Sequence, residues 1–416
     1  MLFRFGVVYF GLYSLATQIA GGLLVVPGMA LLPALGTRWP MRQITDWCAA
    51  HVFGVAAPVV AGNSADTLFH WVQMAWLLAA SIAIAAAWTW FDRGRADRLR
   101  VWFRLFLRLA LAAQMFYYGM AKVIPSQFPP PGLVTLIEPV GASSPSDLLW
   151  TFVGASLPYQ LATGCAEVLA GVLLVIPATA TAGAALALLD MLHVFLLNMA
   201  YDFGLKQISF HLLVIAAVLL APDARRLAAV FMGRAAAAAE HAPLFRSARA
   251  NRIALVAQVA LGVYLMATFA TLSVRYWHGE GGGRAPRSAL FGIWNIEELE
   301  VDGEVRPAVL NDYDRRWRRV IFDTPRVVVF QRTDDSLAHY DAELDPSGRV
   351  LALTKGGSTT WRTTFRVQRP TRDRLLLEGT MDDHRIRMQL ALVELDTFRL
   401  LNSPFRWVRP PDPFAG

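Results

Sequence analysis

Apolar residues are concentrated in long runs over the first two thirds of the chain. A helix needs about 20 mainly apolar residues to cross a membrane, because it rises about 1.5 Å per residue. The pattern predicts an all-α membrane bundle of about seven transmembrane helices, at roughly 5–30, 68–91, 101–124, 158–176, 181–201, 208–221 and 252–274. The first run is too long for a secretory signal peptide and no clear cleavage site follows it, so we interpret it as a span. The sixth run is short.

A different pattern follows a Gly-rich stretch at 278–287, which predicts a flexible linker. Beyond it, apolar and polar residues alternate in short runs, as in strands with one buried face. We predict strands at 293–301, 318–322, 326–331, 338–343, 350–353, 361–367, 375–378, 386–395 and 398–401. Asp302-Gly303 and the stretch 345–348 have the composition of turns between strands. Eight or nine short strands in about 140 residues predict a mostly antiparallel small barrel or sandwich.

The first predicted strand begins with Gly292-Ile293-Trp294. This triplet resembles the Gly-x-Trp start of lipocalins and implies a lipocalin-like barrel, although a Trp in a strand is more often ordinary core packing. The chain is therefore predicted to have a transmembrane helical domain over 1–277, the linker, and an extra-cytoplasmic β domain over 288–416.

The distribution of charge predicts the orientation of the helices. Residues 278–416 hold 21 Lys and Arg against 21 Asp and Glu, so the net charge of +7 comes from residues 1–277, with 18 against 11. Arg residues cluster in the loops 92–104 and 222–252, which the positive-inside rule places in the cytoplasm. We therefore predict a cytoplasmic N-terminus and a β domain on the periplasmic or outer side. The basic loops are expected to meet anionic lipid headgroups of the bilayer.

Composition and motifs exclude several classes of protein. A chain that is 55% hydrophobic and 17% charged, with mean hydropathy +0.39, lies outside the range of soluble domains. The pI near 9.7 does not indicate nucleic-acid binding, because the excess Arg lies in loops beside apolar runs. Cys48 and Cys165 form no Cys-x-x-Cys motif, and no nucleophile elbow, phosphate-binding loop or zinc-protease motif occurs.

Charged and polar residues within the apolar runs are the candidate functional residues, because burying them in a membrane is costly. Gln114, Tyr118 and Lys122 follow one another at i+4 and share one face of the third predicted span. Glu167 is predicted at the depth of Arg108, and an ion pair between the two is the simplest way to satisfy both charges. Glu167 also belongs to a stripe that predicts close packing against another helix, formed by Gln160, Thr163, Gly164, Glu167 and Gly171.

The fifth predicted span carries Asp190 and His193 at i and i+3. A carboxylate beside an imidazole can hold a proton and transfer it, for example to a bound quinone, although a simple hydrogen bond between helices is an equal alternative. A metal site built from His193, His211, Glu167 and Asp190 fits no ligand spacing, and we predict none. The loop 62–67 is expected to cap the second span through Asp66 or Ser64.

Two segments resemble the DoxX family of bacterial membrane proteins. They are RLALAAQMFYYGMAKVI and, after a Pro-rich loop, GCAEVLAGVLLVIPATATAGAAL. The family's polar and Gly positions correspond here to Arg108, Gly119, Lys122, Glu167 and Gly171. The stretch NMAYDFGLKQISFHLLVIAAVLLAPDARRL resembles a larger bacterial subgroup with an extra-cytoplasmic β domain. The resemblance covers about residues 101–230.

The resemblance implies a quinone-linked redox protein, or a subunit of a membrane oxidoreductase complex, in the bacterial inner membrane. Members of the family are linked to thiosulfate:quinone oxidoreduction and to complexes that handle thiol stress. In this reading the catalytic residues are Glu167, Lys122, Asp190 and His193, and the quinone contacts are Arg108, Gln114, Tyr118 and Lys206. A redox partner protein would dock at the periplasmic face.

Other functions remain open at this point. In a second hypothesis, the protein is not an enzyme. The helical bundle then serves as a membrane anchor, and the β domain recruits a partner or an apolar ligand. The order of the domains is also similar to that of vitamin K-dependent carboxylases, in which Lys122 or Lys206 would be the candidate base. A transporter ranks last, because no inverted repeat is visible.

Overall fold

The computed structural model divides the chain into two compact units. It describes residues 1–26, 34–60, 65–92, 94, 97–235, 243–279, 282–307, 309, 316–356, 361–402 and 407–408. The helical unit contains Met1–Phe128 and Ser156–Trp277, and the barrel unit contains Pro129–Ala155 and His278–Gly416. The segment Pro129–Ala155, which the sequence pattern assigned to a loop of the helical domain, thus belongs to the barrel unit.

The first unit contains helices joined by loops, and no strand occurs among its described residues. Their bounds are α1 Leu2–Ala16, α2 Gln18–Leu23, α3 Met41–Cys48, α4 Leu68–Phe91, α5 Asp97–Val123, α7 Leu157–Val175, α8 Ala180–Ala200, α9 Lys206–Leu220, α10 Ala224–Phe231 and α11 Ala248–His278, whereas α6 Pro145–Ala155 lies in the barrel unit. A π-helical turn, Ala49–Phe53, extends α3. The helix α5 packs against α2, α7, α8 and α9.

Five helices in the described part of the chain are long and apolar enough to cross a membrane. They span Leu68–Phe91, Leu157–Val175, Pro177–Ala200, Lys206–Phe231 and Ala248–His278. Four of the predicted spans therefore coincide with these helices. The short sixth run also does, because a 3₁₀ turn at Ala221–Asp223 joins α9 to α10 and lengthens it.

The other two predicted spans are not confirmed, for two different reasons. The first run is broken at Thr17, whose backbone is extended and whose hydroxyl donates to the carbonyl of Tyr13 at 2.8 Å. The residues 27–33, at the end of that run, lie outside the described part. The helix α5 is 27 residues long, but its first half carries several charged side chains. The helix as a whole is therefore less hydrophobic than the five apolar helices. These charges are Asp97, Arg98, Arg100, Arg104 and Arg108.

The second unit contains an eight-stranded antiparallel barrel. The strands are β1 Gly292–Val301, β2 Glu304–Val305, β3 Trp317–Phe322, β4 Val327–Arg332, β5 Leu337–Leu344, β6 Val350–Thr354, β7 Arg362–Thr371, β8 Arg374–Met381 and β9 His384–Leu392. From β3 to β9 each strand pairs with the next, and β1 pairs with both β3 and β9. This closure removes free sheet edges. The short β2 forms only a hairpin with β1.

Local sequence explains most of the barrel. Asp302 and Gly303 both have positive φ angles, 56° and 87°, as the tight turn between β1 and β2 requires. Trp294 is fully buried in the barrel core and donates its indole N–H to the carbonyl of Leu290 at 2.9 Å. The strand predicted at 398–401 is wrong: these residues form turns, with the amide of Leu401 donating to the carbonyl of Phe398.

Apolar residues pack on both sides of the barrel wall. Inward-facing side chains such as Phe330 and Phe365 fill the interior. On the outer side, Ile293, Ile321 and Val329 are covered by Leu133 from the segment Pro129–Ala155. The amide of Leu133 also donates to the Asp323 carboxylate at 2.9 Å. This apolar cover explains why the segment belongs to the barrel unit.

Candidate functional site

Glycines allow α5 and α7 to approach very closely. A Cβ atom on Gly164 would lie 2.7 Å from the Cβ of Lys122 and 2.9 Å from the amide nitrogen of Val123. A Cβ on Gly119 would lie 2.9 Å from the amide of Val168. The stripe of small residues on α7 thus packs against α5, as predicted. This contact brings the polar residues of the two helices together.

Lys122 and Glu167 form a buried ion pair across this contact. Lys122 is 7% exposed and Glu167 is 1% exposed. The predicted pair between Arg108 and Glu167 is therefore wrong. Lys122 lies one turn from Gly119 and faces Gly164, whereas Arg108 binds the side-chain oxygen of Gln258 on α11. Helical depth alone could not distinguish between the two cations.

Asp190 of α8 completes a triad with this pair. Its carboxyl group lies within hydrogen-bonding range of the Glu167 carboxyl. One oxygen of each group, Oε2 of Glu167 and Oδ2 of Asp190, is buried without a hydrogen-bond partner among the described residues. Two ionised carboxylates in contact would repel each other. A single shared proton removes this repulsion and makes the triad neutral, with one cation and one anion.

A set of neutral polar side chains lies on the same face of α5. The amide of Gln18 on α2 donates to the hydroxyl of Tyr118 at 2.7 Å and to Oε1 of Gln114 at 3.0 Å. The ring of Tyr118 lies 5.9 Å from the ammonium nitrogen of Lys122. Gln114, Tyr118 and Lys122 therefore share a face, as predicted. Sequence reasoning missed Gln18, whose only local signal is its position directly after the break at Thr17.

Three of the predicted site residues lie elsewhere. Arg108 is bound to Gln258. His193 is exposed, and its Nε2 lies 3.1 Å from the hydroxyl of Tyr159 rather than on a carboxylate. Lys206 forms an ion pair with Asp202 at the start of α9. The structure thus brings together Lys122, Glu167 and Asp190, with Tyr118 and Gln114 beside them.

A second polar cluster, which the sequence did not indicate, joins α1 to α9. Nε2 of His211 lies 2.7 Å from the hydroxyl of Tyr9, and the ring of Tyr13 stacks on the imidazole at 3.6 Å. Nδ1 of His211 lies 2.6 Å from the carbonyl oxygen of Gln207, which can only accept. Nδ1 therefore carries the proton, and Nε2 of a neutral imidazole accepts from Tyr9.

Asp66 caps a helix other than the predicted one. Its carboxylate accepts hydrogen bonds from the backbone amides of Lys206 and Gln207, the latter at 2.9 Å, so it caps α9 rather than α4. Ser64, the alternative cap, lies outside the described residues. Within the described residues, no group of three or more His, Cys, Asp or Glu side chains is placed to hold a metal ion.

The two units define a helical protein with five helices long and apolar enough to cross a membrane, together with an antiparallel β-barrel. The chain is 39% identical over 124 residues to the uncharacterized protein YwoB of Bacillus subtilis (strain 168). That match covers 30% of this chain and 79% of YwoB, and this chain therefore belongs to the same family as YwoB. No protein-family profile matches the chain. No solved structure matches it either.

Proposed function

We propose that the protein is a quinone-linked subunit of a membrane oxidoreductase, with the quinone head group beside Lys122, Glu167 and Asp190. The observation that carries the proposal is the contact between two carboxyl groups and one lysine inside an apolar helical unit. Such a triad can release its shared proton, which leaves two carboxylates beside one ammonium, and can take a proton up again to become neutral. Reduction of a quinone consumes two electrons and two protons, so a quinone site needs a group of this kind.

The polar atoms around the triad fit a quinone. Its two carbonyl oxygens only accept hydrogen bonds, and the site offers donors. Nε2 of Gln160, two turns from Glu167 on the same face of α7, is buried without a partner among the described residues. The ammonium of Lys122 and the proton on the carboxyl pair are further donors. Electrons would come from a reduced redox centre of a partner protein.

A carboxylase-like reaction receives less support from these residues. A lysine that acts as a base must be a neutral amine. Lys122 forms its ion pair with Glu167, and Lys206 forms one with Asp202. Each lysine is thus engaged by a carboxyl group in the structure. An apolar ligand inside the barrel is also disfavoured, because apolar side chains fill the interior.

The proposal includes an orientation in the bacterial inner membrane. In it, α5 and the α1–α2 pair are embedded beside the five long apolar helices, giving seven membrane-embedded segments. The Arg-rich loops face the cytoplasm and the barrel faces the periplasm. Single cysteines at Asp202 and Arg234, in a protein without Cys48 and Cys165, should react with an impermeant thiol reagent from opposite sides of the membrane.

Quinone binding can be tested directly. The protein is purified in mild detergent, and the quinone content of its lipid extract is measured per mole of protein. Glu167→Gln and Asp190→Asn should each lose most of the bound quinone. Asp202→Asn is the matched control, because its carboxylate is exposed on a loop. The proposal fails if the unmodified protein carries no quinone and does not bind an added soluble quinone.

A further inference from the structure

An exposed histidine lies on the helix that carries Asp190 of the carboxyl pair. His193 is one turn from Asp190 on α8 and is exposed at the surface of the helical unit. Its Nε2 lies 3.1 Å from the hydroxyl of Tyr159 on α7. The contact between Tyr159 and His193 therefore lies one helical turn from Asp190 on α8. A row of ionisable groups therefore leads from the surface to the triad. In order, its members are His193, Tyr159, Asp190 and Glu167.

The exposed end of this row of groups lies near one end of α7 and one end of α8. Tyr159 is the third residue of α7, and His193 lies seven residues before the end of α8, about 10 Å at 1.5 Å per residue. Their contact therefore lies near the end of the bundle where α7 begins and α8 ends. Tyr side chains are common at this depth in membrane proteins, where one end of the ring meets water.

The buried end of this row of groups has a hydrogen-bond acceptor without a partner among the described residues. Oδ2 of Asp190 is buried and has no hydrogen-bond partner among the described residues. Glu167 lies behind it, paired with Lys122. A proton that reaches Asp190 from the surface can therefore be shared with Glu167.

We propose that His193 and Tyr159 form the route by which protons pass between the aqueous phase and the Glu167–Asp190 pair. The inference deepens the proposed function, on which its role in quinone chemistry rests. The imidazole takes a proton from water. It then donates from Nε2 to the hydroxyl oxygen of Tyr159, and the phenol releases its own proton to Asp190, directly after rotation or over one water. His193 ends neutral, and the carboxyl pair has gained the proton.

The groups that face this route come from each helix packed against it. Glu167 and Tyr159 face Asp190 from α7, and Lys122 faces it from α5. From α9, Phe210 packs on Phe195 of α8. His211 of α9 is engaged with Tyr9, and Lys206 is engaged with Asp202.

Infrared spectroscopy can test the route without a known substrate. The full-length protein in detergent is transferred from H₂O to D₂O, and the carbonyl stretch of the protonated buried carboxyl is followed as it shifts on deuteration. Asp190→Asn identifies the band by removing it. We expect His193→Gln and Tyr159→Phe to slow deuteration by at least about tenfold, while the amplitude of the band is unchanged. Added imidazole should restore the rate in His193→Ala.

A matched variant separates the route from general effects on folding. His51→Gln removes another exposed histidine, at the end of α3, and should leave the rate unchanged. Unchanged deuteration in both His193→Gln and Tyr159→Phe would overturn the inference, as would the absence of a protonated carboxyl band in the unmodified protein. Slowed exchange in a protein that binds no quinone would leave the route standing and reject only the proposed function.

Discussion

At the scale of single residues, the triad has a high free-energy cost, because it buries charged groups inside the helical unit. Removing Lys122 and Glu167 from water is unfavourable, and their attraction compensates only because the two groups are in contact. The close approach of α5 and α7 at Gly164 makes that contact possible. The triad is therefore a site at which small changes in charge or position should have large effects.

The first prediction concerns the coupling within this ion pair. Lys122→Met leaves Glu167 buried without its cation and should lower the free energy of unfolding by about 3–5 kcal/mol. The double variant Lys122→Met, Glu167→Leu replaces the pair by apolar side chains and should lose much less than the sum of the single variants. Thermal and chemical unfolding in detergent measure the coupling. Additive losses would show that the two side chains do not interact.

The second prediction concerns acid stability of the barrel. Hydrogen bonds from the His384 side chain and the Arg385 amide hold the pKa of Asp302 below its usual value. Because its pKa is lower in the folded state, the ionised Asp302 carboxylate stabilises the folded barrel at pH values above the unfolded-state pKa, about 3.9. This stabilisation is lost as the pH falls through the folded-state pKa. Asp302→Asn should therefore lower the melting temperature of the barrel at pH 6. The difference from the unmodified protein should shrink as the pH falls through the lowered folded-state pKa, as calorimetry can show.

At the scale of elements, the helix α5 is held by close contacts rather than by apolar composition alone. Its polar face meets the small residues of α7. A helix with many charges in its first half is stabilised in an apolar bundle only if partners are present. Here the partners are Asp223, which pairs with Arg104, and Gln258 on α11, which binds Arg108.

The third prediction tests this contact. Gly164→Ala places a methyl group 2.7 Å from the Cβ of Lys122 and should destabilise the protein by about 1–3 kcal/mol through overpacking. Gly11→Ala on α1 is the matched control, because no atom lies within 4 Å of its added Cβ. It should be neutral or slightly stabilising, since Ala favours helices. Equal effects in the two unfolding curves would contradict the close approach.

The fourth prediction concerns the cap of α9. Asp66→Ala removes the acceptor of two backbone amides, those of Lys206 and Gln207, and should cost about 0.5–2 kcal/mol. Hydrogen exchange at these two amides should accelerate. Asp202→Ala removes only the exposed partner of Lys206 and should change stability by less than about 1 kcal/mol. Unaltered amide exchange in Asp66→Ala would rule out the cap.

At the scale of the whole molecule, the chain does not divide into its two units at one point. The barrel begins after the last helix, but its outer surface is completed by a segment from between α5 and α7. The barrel unit therefore needs residues from two distant parts of the chain. A fragment that starts at residue 278 would expose Ile293, Ile321 and Val329.

The fifth prediction tests the role of this segment. Leu133 is 4% exposed, and Leu133→Ala should destabilise the barrel unit by about 2–5 kcal/mol. Faster hydrogen exchange in β1, β3 and β4, with no change in the helical unit, is the expected result. Leu148→Ala on α6 is the control, because Leu148 is 37% exposed. If only the helical unit responds, the segment belongs there instead.

The sequence by itself determined the elements of both units. Periods of 3.6 and two residues reflect one buried helix face or strand face, and they depend only on neighbouring residues. They predicted eight of the nine strands named in advance and the five apolar helices. They failed at Thr17, where a local hydrogen bond interrupts an apolar run, and at 398–401, where Phe398 packs on the outer wall and the residues after it form a turn.

The tertiary structure alone decided which polar residues meet. Lys122, Glu167 and Asp190 were recognisable as candidates because charge in an apolar helix is costly, wherever its partner lies. Their partners depend on the rotation and spacing of three helices, which a one-dimensional pattern does not contain. Arg108 and Lys122 lie on the same helix and carry the same charge. The absence of a side chain at Gly164 brings Lys122, and not Arg108, to Glu167.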